Sequence, residues 1–161
     1  MDEKKKDLAR ALTEAAFVCD MVRVRELLER GADPDARDED GRTPLFNAVL
    51  GGSVGLVGML LEAGADANAR DADGWTPLHF AAQEYLPPIA QVLAGRGADV
   101  NARDNDGATP LWRAVFSAAG RDEVAQILLA AGARDDVPNH AGETPRALAE
   151  RLGSTVLEKT N

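Results

Sequence analysis

The chain has 161 residues, a length typical of one domain and at most two. Apolar residues make up 45% of it, enough for a continuous core, whereas aromatic residues make up only 4%. The net charge of −9 argues against nucleic acid and acidic membrane surfaces as partners, because phosphate binding needs clustered Lys and Arg. A basic or mixed-charge partner is expected instead.

The first residues, MDEKKKDLAR, are charged and are not followed by the apolar core of a signal peptide. The longest uncharged run, residues 47–61, is shorter than the roughly 18 residues of a membrane span, and glycine interrupts it. Cys19 is the only cysteine, so neither an internal disulfide nor a cysteine-based metal site is expected. We expect a cytoplasmic protein that does not enter the membrane.

Two motifs recur at the same interval. GRTPL, GWTPL, GATPL and GETPR start 33, 33 and 35 residues apart, at Gly41, Gly74, Gly107 and Gly142. A second motif, which follows paired leucines in three of four copies, has its glycine at the same intervals, at Gly31, Gly64, Gly97 and Gly132. Because two independent motifs share one period, the sequence predicts a tandem repeat.

Each repeat is predicted to contain a tight turn and two helices. A turn-forming Gly precedes Thr-Pro, where the threonine suits a helix N-cap and the proline the first helical position. The first helix is expected over Leu45 to about Leu50 in one repeat and Leu78 to about Glu84 in the next. The second helix should end at a left-handed glycine. Two short helices cannot bury an apolar face alone, so the copies should stack into a solenoid.

DGWTPLHFAA at 73–82 and LLEAGADANARDADG at 60–74 resemble the ankyrin repeat, and the resemblance covers nearly the whole chain. It implies an all-α solenoid of stacked helix-turn-helix units with β-hairpin-like loops. One domain over 1–161 is expected, with an N-cap at about 1–38, repeats at about 39–71, 72–104 and 105–139, and a C-cap at about 140–161. The Ala/Arg-rich composition is compatible with a high-GC bacterium, and we expect a bacterial protein.

The chain departs from the family pattern at three places. His79 is the only histidine that follows Thr-Pro-Leu; the resemblance implies that it holds neighbouring hairpins together, and Trp112 in its place should pack between repeats. Two extra residues between Trp112 and Val124 should lengthen the first helix or its turn. Pro87-Pro88 should be tolerated only in the first turn of a helix.

No catalytic or metal-binding arrangement is found. His79 and His140 are 61 residues apart, and Cys19 has no evident base beside it. The aspartates recur at the same turn position in each repeat, where they are expected to bond their own backbone, and the terminal glutamate of an EF-hand loop is missing. We therefore expect no enzyme activity, no cofactor and no metal.

The resemblance implies a protein partner bound on the concave face, which consists of the hairpin tips and the outer side of the first helices. Carried over to this chain, the candidate contacts are Trp75, Phe116, Arg37, Arg42, Arg70, Arg103, Asn105, Gln83 and Glu84.

Trp75 is expected to be exposed, because its equivalents are as different as Arg42 and Ala108, and an exposed tryptophan is typical of a binding hot spot. The alternative is that its ring lies against a neighbouring hairpin. Phe116 also holds a surface position, although the nearby insertion leaves its direction open. The three ARD motifs predict either an arginine ladder that grips acidic groups or arginines paired with adjacent aspartates.

The expected function is a non-enzymatic interaction module, monomeric, that binds one protein partner. A dedicated inhibitor or immunity protein that blocks a partner enzyme or toxin is the main alternative. A structural or chaperone-like role with several weak partners is a further one.

Overall fold

In the computed structural model, which describes residues 3–157, the chain forms an all-helical solenoid. These residues contain nine helices and no strand. The helices are α1 (Glu3–Phe17), α2 (Met21–Glu29), α3 (Pro44–Leu50), α4 (Val54–Glu62), α5 (Pro77–Gln83), α6 (Pro87–Gly95), α7 (Pro110–Ser117), α8 (Glu123–Ala130) and α9 (Pro145–Leu152).

The first helix of each unit begins as the Thr-Pro motif predicts. Every motif proline occupies the first turn, and each threonine side chain accepts a hydrogen bond from the backbone N–H three residues later. The cap satisfies one of the donors that a helix start leaves unpaired, and the missing proline N–H removes another. The start of α5 is Pro77 and its end is Gln83, so both predicted boundaries are one residue off, and Glu84 is the C-cap.

The glycines after the second helices adopt the predicted left-handed conformation. Their φ angles lie between 84° and 93°, at Gly31, Gly64, Gly97 and Gly132. In the first unit the N–H of Gly31 donates to the carbonyl of Leu28, and the next N–H donates to the carbonyl of Leu27. The chain thereby satisfies the last helical carbonyls and turns towards the next hairpin.

The helices stack in two layers. Contacts between α1, α3, α5, α7 and α9 form one layer, and α4, α6 and α8 pack together in the other. The leucines of the Thr-Pro-Leu motifs, Leu45, Leu78 and Leu111, are fully buried between the layers. No pair of helices could cover these side chains alone, so burial requires the neighbouring unit on each side.

The two irregular repeats keep the same frame. Pro87 and Pro88 lie in the first turn of α6, where no helical hydrogen bond is lost. The two extra residues of the next repeat widen its inter-helix turn to 118–122, with Ala119 and Gly120 at positive φ. Because α7 continues to Ser117, Phe116 stays on the helix and keeps its register.

Candidate functional site

Each hairpin loop is closed by one Asp or Asn side chain. In each loop one side-chain oxygen accepts hydrogen bonds from the backbone N–H groups two and four residues later, at 2.8–3.0 Å. The residues that supply this oxygen are Asp38, Asp71, Asp104 and Asn139. This confirms that the first aspartate of each repeated pair bonds its own turn. The second aspartate does not, and Asp40 and Asp106 accept from arginine side chains instead. The backbone of each loop is therefore held in a fixed conformation.

The three ARD arginines join successive hairpins through the backbone. Arg37 and Arg70 each donate to a carbonyl of the following hairpin at 2.6 Å, and Arg103 does so at 2.8 Å. The accepting carbonyls belong to Arg70, Arg103 and Pro138. The described residues show no pairing of these guanidinium groups with the adjacent aspartates, whereas an arginine ladder that grips acidic groups stays a prediction.

One glycine shows how tightly these arginines fit. Gly107 has a φ of 75°, and a Cβ atom added there would lie 2.9 Å from the Nη2 atom of Arg103. The same arginine also donates to the carbonyl of Gly107 at 3.2 Å. The turn glycine thus leaves room for the arginine to cross from one hairpin to the next.

Trp75 is half-buried, so the prediction that it is exposed is wrong. Its ring centroid lies 6.2 Å from that of Phe80, and the guanidinium of Arg113 lies 4.6 Å from it on the side of the next repeat. The equivalent Ala108 is buried as well. The position is shielded because a helix residue of the following repeat reaches back over it.

Arg113 is held between two tryptophans and two carboxylates. It contacts the buried carboxylate of Asp104 at 2.6 and 3.0 Å and the exposed carboxylate of Asp106 at 3.0 Å. Its guanidinium also lies 5.4 Å from the ring centroid of Trp112. Two contacts to one carboxylate fix the guanidinium plane, and the aromatic faces attract its charge.

The candidates derived from sequence omit Arg113 and Asp104. A signal was available, because Arg113 occupies the helix position at which the first repeat has the buried Asn47. Asn47 donates to Asp38 at 3.2 Å, as Arg113 does to Asp104. A cation at a buried position predicts a carboxylate partner.

Most aromatic residues lie in one continuous strip. The chain has two tryptophans, one tyrosine and four phenylalanines, and all except Phe17 and Tyr85 belong to it. Neighbouring members are 4.6–6.2 Å apart between ring centroids or between guanidinium and centroid. In spatial order this aromatic–arginine strip is Arg42, Phe46, Phe80, Trp75, Arg113, Trp112 and Phe116.

The strip opens to solvent at its third-repeat end. Near the other end Arg42 is half-buried and Phe46 is buried, whereas Phe116 is 54% exposed and stacks on Trp112 with 12° between the rings. The indole N–H of Trp112 is buried without a partner among the described residues. A shallow cavity of about 360 Å³ lies beside Trp112 and is also lined by His140 of the next hairpin.

A family model of ankyrin repeats in three copies matches residues 12–104 and 68–141. The chain belongs to the ankyrin-repeat family. Ankyrin repeats are generally protein–protein interaction modules and are typically not enzymes. No match to this ankyrin-repeat protein is found among curated proteins.

His79 connects the second and third repeats of the ankyrin stack, as the resemblance implies. Its Nε2 lies 3.0 Å from the carbonyl of Ala108, and its Nδ1 lies 3.2 Å from the backbone N of Thr76. Burial lowers the pKa of His79 from 6.5 to about 4. The ring is therefore neutral at neutral pH, donates through Nε2 and accepts through Nδ1.

Some of the remaining candidate contact residues already bond within the protein, and others do not. Asn105 donates to the carbonyl of Ala72 at 3.1 Å, so its amide is used between hairpins. Arg42 is half-buried and contacts Asp40 at 3.1 Å. Glu84 is exposed, and the half-buried Gln83 has a side-chain oxygen without a partner among the described residues.

Two further observations concern the described residues as a whole. Residues 3–157 include no group of three or more His, Cys, Asp or Glu side chains that could hold a metal ion. Over the same range, every helix is too short or too polar to cross a bilayer.

Proposed function

We propose that this ankyrin-repeat protein is a non-enzymatic module that binds one protein partner on its concave face, with the third-repeat end of the aromatic–arginine strip as the anchor. The exposed Phe116, stacked on Trp112, is the observation that carries the proposal. An aromatic ring that is already held in place loses little conformational entropy on binding. Buried neighbours with exposed aromatic tips are typical of interface hot spots.

The surroundings of the anchor favour a partner with positive charge. The chain carries a net charge of −9, and the exposed carboxylates of Glu39, Asp73, Glu84 and Asp106 lie on the hairpin tips or at the end of a first helix. The exposed ARD arginines keep their positive charge beside these carboxylates, so the face carries both signs within a net acidic chain. A basic or mixed-charge surface with an apolar contact for Phe116 complements this arrangement.

The test compares two exposed phenylalanines. Affinity purification with the wild-type protein identifies the partner, and calorimetry with the purified pair measures Kd. Phe116→Ala should weaken binding at least about 30-fold, since hot-spot truncation costs about 2 kcal/mol or more. Phe17→Ala removes a 62% exposed ring outside the strip and should leave Kd unchanged. Equal Kd values for both variants would refute the proposed anchor.

A narrower form of the proposal is that the partner is an enzyme or toxin that this protein blocks. The acidic surface supports it, because a basic enzyme such as a nuclease would be attracted at long range. Adding the purified protein to its partner at equimolar concentration should then abolish the partner's activity. Full activity of the saturated complex would refute inhibition while leaving the binding site intact.

A further inference from the structure

The hairpin loops are bonded to each other in series. Three groups of each of the loops 66–75, 99–108 and 134–143 bond to the preceding loop. A first backbone N–H donates to a side-chain oxygen of that loop, a carbonyl accepts from its arginine, and a second N–H donates to one of its carbonyls. The first N–H groups are those of Asp66, Asp99 and Arg134. The carbonyls are those of Arg70, Arg103 and Pro138. The second N–H groups are those of Ala72, Asn105 and His140.

The first loop, residues 33–42, has the same groups without partners. The equivalent positions are the N–H of Asp33, the carbonyl of Arg37 and the N–H of Glu39, and none of them is hydrogen-bonded within residues 3–157. The carbonyls of Gly31 and Gly64 both lack a partner within residues 3–157, whereas those of Gly97 and Gly132 accept from asparagine side chains, so the three loop groups above alone distinguish the first loop. Unpaired backbone groups in a fixed row form a template for another chain.

Helix α1 explains why this edge is open. It has 15 residues, whereas the equivalent helices α3, α5, α7 and α9 have seven or eight. Its extra turns occupy the part of the sequence where a preceding hairpin would lie. They leave a groove of about 920 Å³ between α1 and the first loop. Gly31, Asp33, Arg37 and Glu39 all line this N-terminal groove, so each unpaired group belongs to a groove residue.

We propose that the N-terminal groove binds a turn segment of a protein partner. This segment makes the same three hydrogen bonds to the first loop that each later hairpin loop makes with the loop before it. An Asn or Asp side-chain oxygen accepts from the N–H of Asp33. An arginine two residues later donates to the carbonyl of Arg37. A backbone carbonyl three residues further on accepts from the N–H of Glu39. The chain's own residues 68–74, NARDADG, carry this pattern.

Charge on the helix side of the groove complements such a segment. Lys5 and Lys6 line the groove, are exposed, and form no ion pair among the described residues. A turn of the NARDADG type places two aspartates beside its arginine, so its carboxylates can face the lysines. The groove as a whole is lined by four cationic and five acidic side chains, so a segment that carries both signs complements it.

A second copy of the chain fits the groove less well than a foreign segment. Its interior hairpins are already covered on both sides by their neighbours. Its last hairpin has Pro138 at the position of the ARD arginines and cannot supply a guanidinium there. The carboxylate of Asp136, at the position of the accepting Asn side chains, is held by Arg134 at 3.0 and 3.1 Å.

The probe is a cyclised ten-residue peptide with the sequence of residues 66–75, DANARDADGW, titrated into the ¹⁵N-labelled full-length protein. We expect the amide signals of Asp33 and Glu39 to shift saturably. The peptide with Arg70→Ala should bind about tenfold more weakly, because it lacks the hydrogen bond to the carbonyl of Arg37. The absence of any shift at about 1 mM peptide would overturn the proposal, since that is the weakest affinity of interest.

Two protein variants locate the binding. Ala9→Trp places a large ring in the groove and should abolish the shifts, whereas Ala94→Trp, at a similarly half-buried position of α6 outside the groove, should not. Phe116→Ala should bind the peptide like the wild type, which separates this site from the concave anchor. Equal binding by Ala9→Trp would overturn the proposal. Self-association of the protein that Ala9→Trp abolishes would overturn it in favour of a second copy.

Discussion

The first helices of the second and third repeats, α5 and α7, begin in the same way and differ in the contacts that their side chains make. Both begin with a threonine cap and a proline in the first turn. In α5 the next conspicuous residue, His79, is fully buried and bonds to the following hairpin. In α7 Trp112 takes its place, leaves its N–H unpaired, and stacks on the exposed Phe116.

The comparison shows how one scaffold supports two roles. The second repeat uses its variable helix positions to hold the next unit, and the third uses them to present a surface. Arg113 adds a second contact at the junction that His79 already bridges, because its guanidinium lies over the ring of Trp75 and bonds to Asp104. The junction of the second and third repeats is thus held from both helices, while Phe116 at the end of α7 stays exposed.

The largest effect is expected from removing Arg113 from the junction of the second and third repeats. Arg113→Ala leaves the fully buried carboxylate of Asp104 without its cation, which should lower the free energy of unfolding by about 3–5 kcal/mol. Urea denaturation monitored by circular dichroism measures the change. Arg23→Ala, which removes an exposed ion pair with Glu26, is the matched control and should cost about 0–1 kcal/mol. A similar small loss for both variants would show that Arg113 does not hold the repeats together.

The free energy of unfolding should depend on pH through His79 of the second repeat. The pKa of His79 is about 4 in the folded state and 6.5 ordinarily, so the unfolded chain binds the proton first as pH falls. The contribution of His79 is complete above pH 6.5 and decreases by about 3 kcal/mol as pH falls towards 4.

Unfolding titrations between these pH values should show this slope in the wild type and not in His79→Gln. His140→Gln removes an exposed imidazole and should behave as the wild type does. The same slope in His79→Gln would mean that other groups cause the acid sensitivity.

The division of roles predicts unequal effects on binding. Phe116 and Gln83 occupy the same position of α7 and α5. Phe116→Ala should cost about 2 kcal/mol of binding free energy, whereas Gln83→Ala should cost less than about 0.5 kcal/mol, since most contact residues outside a hot spot are near neutral. Calorimetry with the purified partner measures both. A larger effect at Gln83 would move the anchor to the second repeat.

The smallest effect is expected from the arginine that links the two hairpins. Arg70→Ala removes one hydrogen bond to the carbonyl of Arg103, and a single bond is worth about 1 kcal/mol of stability. Hydrogen exchange should show faster opening of the 99–108 loop, while α4 keeps its protection. Uniformly faster exchange across the stack would contradict a local role.

Residues that act within one repeat were predictable. The period, the threonine caps at residues such as Thr76 and the left-handed glycines such as Gly64 follow from short-range chemistry. The aspartate turns were predictable for the same reason, since the side chain and the N–H groups it accepts are at most four residues apart. The family followed from these elements together. The monomeric state, the cytoplasmic location and the bacterial source stay predictions.

Residues that act between repeats were not predictable in detail. The exposure of Trp75 depends on Arg113, which lies in the next repeat, and the bonding of Arg37 depends on a carbonyl 33 residues away. A repeat motif predicts that units stack, because each exposes an apolar face, and does not predict which side chain crosses each junction. Several possible partners lie within reach of a long side chain at a junction. Only the register of the folded layers decides which of these contacts a guanidinium or an indole ring can reach.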